Sequence, residues 1–229
     1  MLEMTTSLGA TAGLQVLDLG LESYAVTLSR QEELVGRRFR EEAPDTLILV
    51  EHPPVVTLGR AKTRANLLLG PAELAGRGVE YFEITRGGDA TYHAPGQLVG
   101  YPIFDLRRRG RDVLRFCRDV EAALIASLAD FGLAARGIAG EAGVWVGDRK
   151  IASLGISVRR WITFHGFALN VTTDLTGFQV IRPCGKDPEV MTSMAALLSR
   201  PIPMTEVRRH VGQRFVEQFG FVEVAVVSA

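Results

Sequence analysis

Cys184 stands between Pro183 and Gly185, with Arg182 and Lys186 on either side. Proline and glycine set a tight turn there. The neighbouring cations favour thiolate over thiol, and the thiolate is the nucleophilic form, so these residue types point to covalent catalysis by cysteine. Such a nucleophile needs a group that takes its proton or holds its charge, and His93, His165 and Lys150 are the candidates. Lys150 follows Arg149 directly in a chain that has 23 arginines and only three lysines, at 62, 150 and 186. Arginine keeps its proton where lysine can release it, so a lysine at 150 suggests a proton-handling ammonium. Cys117 differs: it repeats in register with Val113, Val120, Leu124 and Leu128 and reads as a small hydrophobe on a helix face. His52, beside Pro53-Pro54, and His210 read as turn or surface residues.

A second chemical region is Arg86-Gly87-Gly88-Asp89-Ala90-Thr91-Tyr92-His93-Ala94-Pro95-Gly96-Gln97, continuing to Pro102. Glycine and proline crowd around Arg, Asp, Tyr, His and Gln, the composition of a backbone bent around a ligand with polar groups turned toward it. The four histidines and two cysteines have no metal-ligand spacing, so no metal and no cofactor is expected. The chain has no GxxxxGK[ST] loop, no GxSxG elbow and no GxGxxG fingerprint, and the usual signatures of nucleotide hydrolysis and serine-hydrolase chemistry are missing.

The elements that must position these groups follow from periodicity. Leu14 to Leu19 reads as a strand, and Tyr24 to Glu42 as a helix stopped by Pro44. Thr46 to Val50 and Val55 to Leu58 are short apolar runs typical of buried strands, and Pro71 to Ala75 is a helical turn opened by proline. Tyr81 to Thr85 leads into the glycine-rich region and Leu98 to Phe104 leads out of it. Asp112 to Phe131 is a helix ended by Gly132. Val144 to Val146, Ile151 to Val158 and Ile162 to Val171 form an antiparallel meander with turns at Gly147-Asp148 and Arg159-Arg160. Thr205 to Phe219, capped by Gly220, is a closing helix, and Val222 to Val227 a last strand. Meanders and packed helices without repeats or linkers predict an α+β domain spanning 1–229.

Bulk composition narrows the partners. Lys plus Arg equals Asp plus Glu at 26 each, so net charge directs the chain to neither nucleic acid nor an anionic membrane. Two distant cysteines in 229 residues make a disulfide framework unneeded, and no apolar run approaches the ~20 residues that span a bilayer. Residues 1–14 carry Glu3 and no Lys or Arg, unlike a secretory or organelle-targeting leader, so a cytoplasmic location is expected.

Three segments together resemble one family, the lipoyl (octanoyl) transferases. They are Arg86 through Pro102, the run from Lys150-Ile-Ala-Ser153-Leu154-Gly155 to His165-Gly166-Phe167-Ala168-Leu-Asn170, and Pro183-Cys184-Gly185. The resemblance implies transfer of an octanoyl group from acyl carrier protein to a lysine of lipoyl domains, those of 2-oxoacid dehydrogenase complexes and of the glycine cleavage H protein. It implies a fold like the catalytic domains of biotin protein ligases and lipoate ligases, a mixed sheet plus a smaller antiparallel sheet flanked by helices. It matches Cys184 to an acyl-thioester nucleophile and Lys150 to the residue that lowers its pKa. Arg86, Gly87, Gly88, Asp89, Ala90, Thr91, Tyr92 and His93, then Ser153, Leu154 and Gly155, then Gly166, Phe167 and Ala168, match the substrate-binding segments. Backbone N–H groups near Gly155 or Gly166 are candidate oxyanion donors, and Val99, Leu154 and Phe167 candidate acyl-slot residues. Ala94 departs from the family, which has glycine there, and a positive φ at 94 would strain alanine.

Acyl carrier proteins are acidic, and Arg107, Arg108, Arg109, Arg111, Arg115 and Arg118 form the densest basic cluster, a candidate docking patch. Two rival readings share these residues: an ATP-dependent lipoate ligase, against which Pro183-Cys184-Gly185 argues, and a non-catalytic acyl-binding module.

Overall fold

Every residue from Thr46 to Val50 is buried, which requires a strand covered on both faces. The computed structural model describes residues 13–61, 64–198, 200–222 and 224–228. It opens with β1 (Leu14–Leu21), α1 (Tyr24–Phe39), β2 (Thr46–Glu51), β3 (Val55–Leu58) and α2 (Pro71–Gly76). Next come β4 (Glu80–Glu83), β5 (Ala90–His93), β6 (Gln97–Ile103) and α3 (Val113–Ala129). The chain closes with β7 (Ala135–Ile138), β8 (Glu141–Val146), β9 (Arg149–Arg159), β10 (Ile162–Asn170), α4 (Met194–Leu197), α5 (Met204–Phe219) and β11 (Val224–Ser228).

Eight strands form one mixed sheet in the order β11-β1-β2-β6-β10-β9-β8-β7. Alternation along β2 shows how its faces are filled. Leu47 and Leu49 pack with Phe116, Val120, Val211 and Phe215 of α3 and α5, while Ile48 and Val50 pack with Leu34 and Val35 of α1. The smaller sheet has the order β4-β3-β5, with β3 parallel to β4 and antiparallel to β5. The antiparallel expectation therefore holds for one of its two pairings, because the α2 crossover returns β4 in the direction of β3.

The α+β architecture agrees with the sequence reading, and the differences have local causes. Helix α1 ends at Phe39, before the expected Glu42, because Glu41 takes a left-handed φ of 63° and the Glu42 N–H closes on the Arg37 carbonyl. The β9–β10 turn falls one residue later than expected: Arg160 and Trp161 both have positive φ, 52° and 67°, as a two-residue primed turn demands. Strands β5 and β7 carry no readable alternation, since one lies in the glycine-rich region and the other is only Ala-Arg-Gly-Ile. Cys117 is half-buried, and Phe116, Val120 and Leu124 rather than Cys117 define the packed face of α3. Ala94 avoids positive φ and packs under the smaller sheet, so the family's glycine is not required.

The two sheets meet along the β4–β5 loop, which leans on the middle of β9. The Gly87 N–H donates to the Ile156 carbonyl at 3.3 Å, and the Ser157 hydroxyl to the Thr85 carbonyl at 2.7 Å. A Cβ on Gly155 would lie 2.8 Å from the Gly87 oxygen, closer than real Cβ contacts allow, so glycine lets this loop reach the strand.

Candidate functional site

The seam between the sheets opens into a cleft. Arg86, Gly88, Ala90, Thr91 and His93 line one wall, and Ser153, Leu154, Gly155, Gly166, Phe167 and Ala168 line the other. Tyr24, Val99, Tyr101 and His165 complete it. Gly155 and Gly166 face each other across β9 and β10, and a Cβ on Gly166 would strike the Gly100 carbonyl, so glycine there lets β6 close on β10 beneath the cleft. Arg86 is buried, its guanidinium donating to the Thr57 hydroxyl at 3.0 Å and to the Thr57 carbonyl at 2.7 Å. It presents a cation to a largely apolar cleft.

Two buried histidines, His93 and His165, lie near this cation, and a third, His52, packs edge-on against His93. Burial, with Arg86 nearby, drives the His165 pKa down to about 3. Burial, with His52 and Arg86 nearby, drives that of His93 down to about 3. His52 is fully buried and likewise lowered by burial, correcting its reading as a turn or surface residue. Its Nδ1 lies 2.7 Å from the Glu22 carbonyl, an acceptor, so Nδ1 carries the hydrogen and Nε2 accepts from the Tyr101 hydroxyl at 2.9 Å. His93 Nδ1 donates to Gln97 Oε1 at 2.7 Å, and Gln97 Nε2 donates to Asn170 Oδ1 at 2.8 Å. Asn170 donates in turn to the Thr192 carbonyl at 2.9 Å. With pKa values this low, His93 and His165 are poor proton acceptors at neutral pH.

Lys150 opens β9, and its side chain is buried. The ammonium donates to the Ala142 carbonyl at 2.7 Å and lies 5.5 Å from the centre of the Trp145 ring. Gly143 makes the room: it holds φ at 135°, and a Cβ there would sit 2.5 Å from Lys150 Cε. The backbone of Cys184 forms a single 3₁₀ turn, Pro183–Gly185, while its side chain lies outside the described residues. This turn is pinned at both ends. Before it, the Arg182 N–H donates to the Asn66 carbonyl at 2.7 Å. After it, Met191 bridges to Lys150 and the Thr192 N–H donates to the Lys150 carbonyl at 2.9 Å. The chain that leaves the turn is therefore tied to Lys150 six to eight residues later.

Some expected residues lie outside the cleft wall. Tyr92 turns the other way on β5, as alternation requires, and its ring meets Phe178 at 5.5 Å between centroids. Asp89 accepts from the side chain of Asn66, the residue that also anchors the Cys184 turn. Gly87 supplies the backbone contact to β9. Sequence reading missed Tyr24, Tyr101, Asn66 and Trp145. Only Trp145 had a usable signal, since a turn at Gly147-Asp148 places it opposite Lys150 in the hairpin. Four of the six clustered arginines are ion-paired: Arg107 with Asp105 at 2.7 Å, Arg108 with Glu41 at 2.9 Å, Arg109 with Asp45 at 3.2 Å and Arg115 with Asp119 at 3.8 Å. Among the described residues no cluster of three or more His, Cys, Asp or Glu side chains is arranged to hold a metal ion.

Comparison with known proteins places this geometry in a lineage. Residues 23–216 match the family described as the lipoyl protein ligase A/B catalytic domain. An octanoyltransferase of Geobacter metallireducens is 46% identical over 93% of this chain and 98% of its own length. An octanoyltransferase of Solibacter usitatus is 51% identical over 88% and 89%. Among solved structures, lipoate-protein ligase A bound with ATP superposes with a TM-score of 0.79 at 19% identity, covering 95% of this chain and 89% of that one. Biotin protein ligase from Aquifex aeolicus superposes at 0.53 and 12%, covering 90% and 69%. At those identities the likeness is one of fold. The chain belongs to the lipoyl protein ligase A/B catalytic domain family and, by sequence, to its octanoyltransferases.

Proposed function

We propose that this protein transfers an octanoyl group from octanoyl-acyl carrier protein to a lysine of lipoyl domains through a thioester on Cys184. The observation behind this reading is that the segment following the Cys184 turn is tied to Lys150, through the Met191 bridge and the Thr192 N–H bond to the Lys150 carbonyl, beside a cleft built from the family's binding segments. The Cys184 thiolate attacks the thioester carbonyl carbon, the carbon–sulfur bond to the carrier breaks, and the carrier leaves as a thiol on taking up a proton. One thioester replaces another, so the step needs no ATP. The acceptor amine then attacks the acyl-enzyme, an amide forms, and Cys184 departs as thiolate. Lys150 holds the Cys184 thiolate as ammonium, gives its proton to the departing carrier sulfur, and as the resulting neutral amine takes the acceptor amine's proton in the second half, which the buried histidines are too weakly basic to do.

Arg86, Gly88, Ala90, Thr91 and His93, with Ser153 to Gly155 and Gly166 to Ala168, hold the acyl thioester in this reading, with Val99, Leu154 and Phe167 against the chain. Residues 1–229 act as one catalytic unit. The acceptors are lipoyl domains of 2-oxoacid dehydrogenase complexes and the glycine cleavage H protein. A free thiolate suits the reducing cytoplasm, and among the described residues no helix is long and apolar enough to cross a membrane.

Intact mass spectrometry after mixing with octanoyl carrier protein tests the reading. One octanoyl group is expected on wild type and on Cys117→Ala, and none on Cys184→Ala. Burial and nearby Glu121 raise the Cys117 pKa, which keeps that thiol protonated and unreactive. An adduct that survives Cys184→Ala overturns the mechanism. Formation of octanoyl-adenylate from octanoate and ATP would instead favour ligase chemistry.

A further inference from the structure

Strand β8 holds both halves of the Cys and Lys pair through one aromatic ring. Trp145 is directly opposite Lys150 in the β8–β9 pairing, and the Lys150 ammonium lies 5.5 Å from the ring centre. Lys186, two residues after Cys184, places its own ammonium 5.6 Å from the same centre. The surrounding contacts reinforce this. Lys150 donates to the Ala142 carbonyl at 2.7 Å and Lys186 pairs with Glu141 at 2.8 Å, and both partners lie on β8. We propose that Trp145 is a positioning residue, its π face gathering the two ammonium groups so that the Cys184 turn is held against Lys150.

The physics favours the ring over its polar handle. A buried indole N–H usually finds an acceptor, yet Trp145 Nε1 has no hydrogen-bond partner among the described residues, while the ring itself is 3% exposed. Two like charges near one another repel, and an aromatic quadrupole offsets that repulsion without adding a charge that would compete for the thiolate. A carboxylate in its place would pair with Lys150 and oppose thiolate formation. Other charged groups near Trp145 are engaged elsewhere. Arg136, opposite Trp145 on β7, donates to the Gly147 carbonyl and lies 4.0 Å from Asp148. Glu121 of α3 accepts from the Gly143 N–H at 2.8 Å.

This inference rests on the acyl-enzyme reading and is tested by the pH dependence of Cys184 alkylation, read by peptide mapping. Trp145→Leu removes the π face and is expected to raise the pH midpoint of iodoacetamide modification by about one unit, a tenfold loss of thiolate at neutral pH. Trp145→Phe keeps a π face and loses no indole hydrogen bond, so its midpoint is expected close to wild type. An unmoved midpoint in Trp145→Leu, or a shift in Trp145→Phe as large as in Trp145→Leu, overturns the positioning role. Absence of an octanoyl adduct on wild-type Cys184 overturns the acyl-enzyme reading instead, so the two failures are distinguishable.

Discussion

His93 and His165 hold an imidazole neutral inside a cleft that already contains the Arg86 cation. Burial lowers both folded-state values to about 3, whereas the unfolded chain protonates near the ordinary 6.5. Below pH 6.5 the unfolded state therefore binds more protons than the folded state, and stability falls as pH falls toward 3. Urea unfolding should lose about 2 kcal/mol between pH 7.5 and 5.5, and the slope should be shallower in His93→Gln. A wild-type profile that is flat over this interval would sink the claim that these imidazoles are buried neutral. The same neutrality leaves the proton transfers of the proposed reaction to Lys150.

At the scale of elements, β9 and β10 form the hairpin that builds the cleft wall, and its turn is made of residues poorly suited to it. Arg160 and Trp161 adopt the left-handed φ that Asn and Gly adopt readily. Trp161 is partly compensated by the Arg111 guanidinium, 5.8 Å from its ring, but the ring is 39% exposed. The double variant Arg160→Asn, Trp161→Gly, which installs the Asn-Gly pair a primed turn prefers, should stabilise the protein by about 1 kcal/mol. Transfer activity should be unchanged, because the cleft residues lie further along the strands. A lower melting temperature in this variant would mean that the Arg111 and Trp161 contact outweighs the backbone strain.

Across the whole molecule, the arginine cluster and the Cys184 turn sit at opposite ends of β9. Leu106 donates to the Trp161 carbonyl at the hairpin end, whereas Lys150 is at the start of the strand, nine residues and about 30 Å before Arg159. Arg107, Arg108 and Arg109 are bound to Asp105, Glu41 and Asp45, with Asp105 and Asp45 buried. Arg109 also lies over the rings of Phe104, Phe219 and Phe221. These cations tie the end of β6 to α1 and α5, and we propose that this structural role, rather than carrier docking, is their function. Arg108→Glu should leave the KM for octanoyl carrier protein unchanged at low salt. Arg109→Glu should lower the melting temperature, since it sets a carboxylate beside Asp45. A several-fold rise in KM with Arg108→Glu would restore the docking role.

Local information was enough for much of this. The apolar runs of β2 and β3, the Gly220 cap of α5 and the spacing of the meander are each written in one contiguous stretch of sequence. So is the reactivity suggested by Pro183-Cys184-Gly185, because a turn and its flanking charges are adjacent in sequence. Family membership was legible for the same reason, in three short segments. Which groups meet is a property of the folded chain. Asn66 reaches Arg182, Thr192 reaches Lys150, and His52 is enclosed by Glu22 and Tyr101, all across loops whose closure no local pattern encodes. Burial is equally non-local: His52 stands between Glu51 and Pro53-Pro54 in sequence, yet it is sealed by residues 30 and 49 positions away. Residue order alone established that a cysteine, a lysine and a glycine-rich wall were present, whereas long-range packing set their alignment and made the neighbouring histidines too weakly basic to share the work.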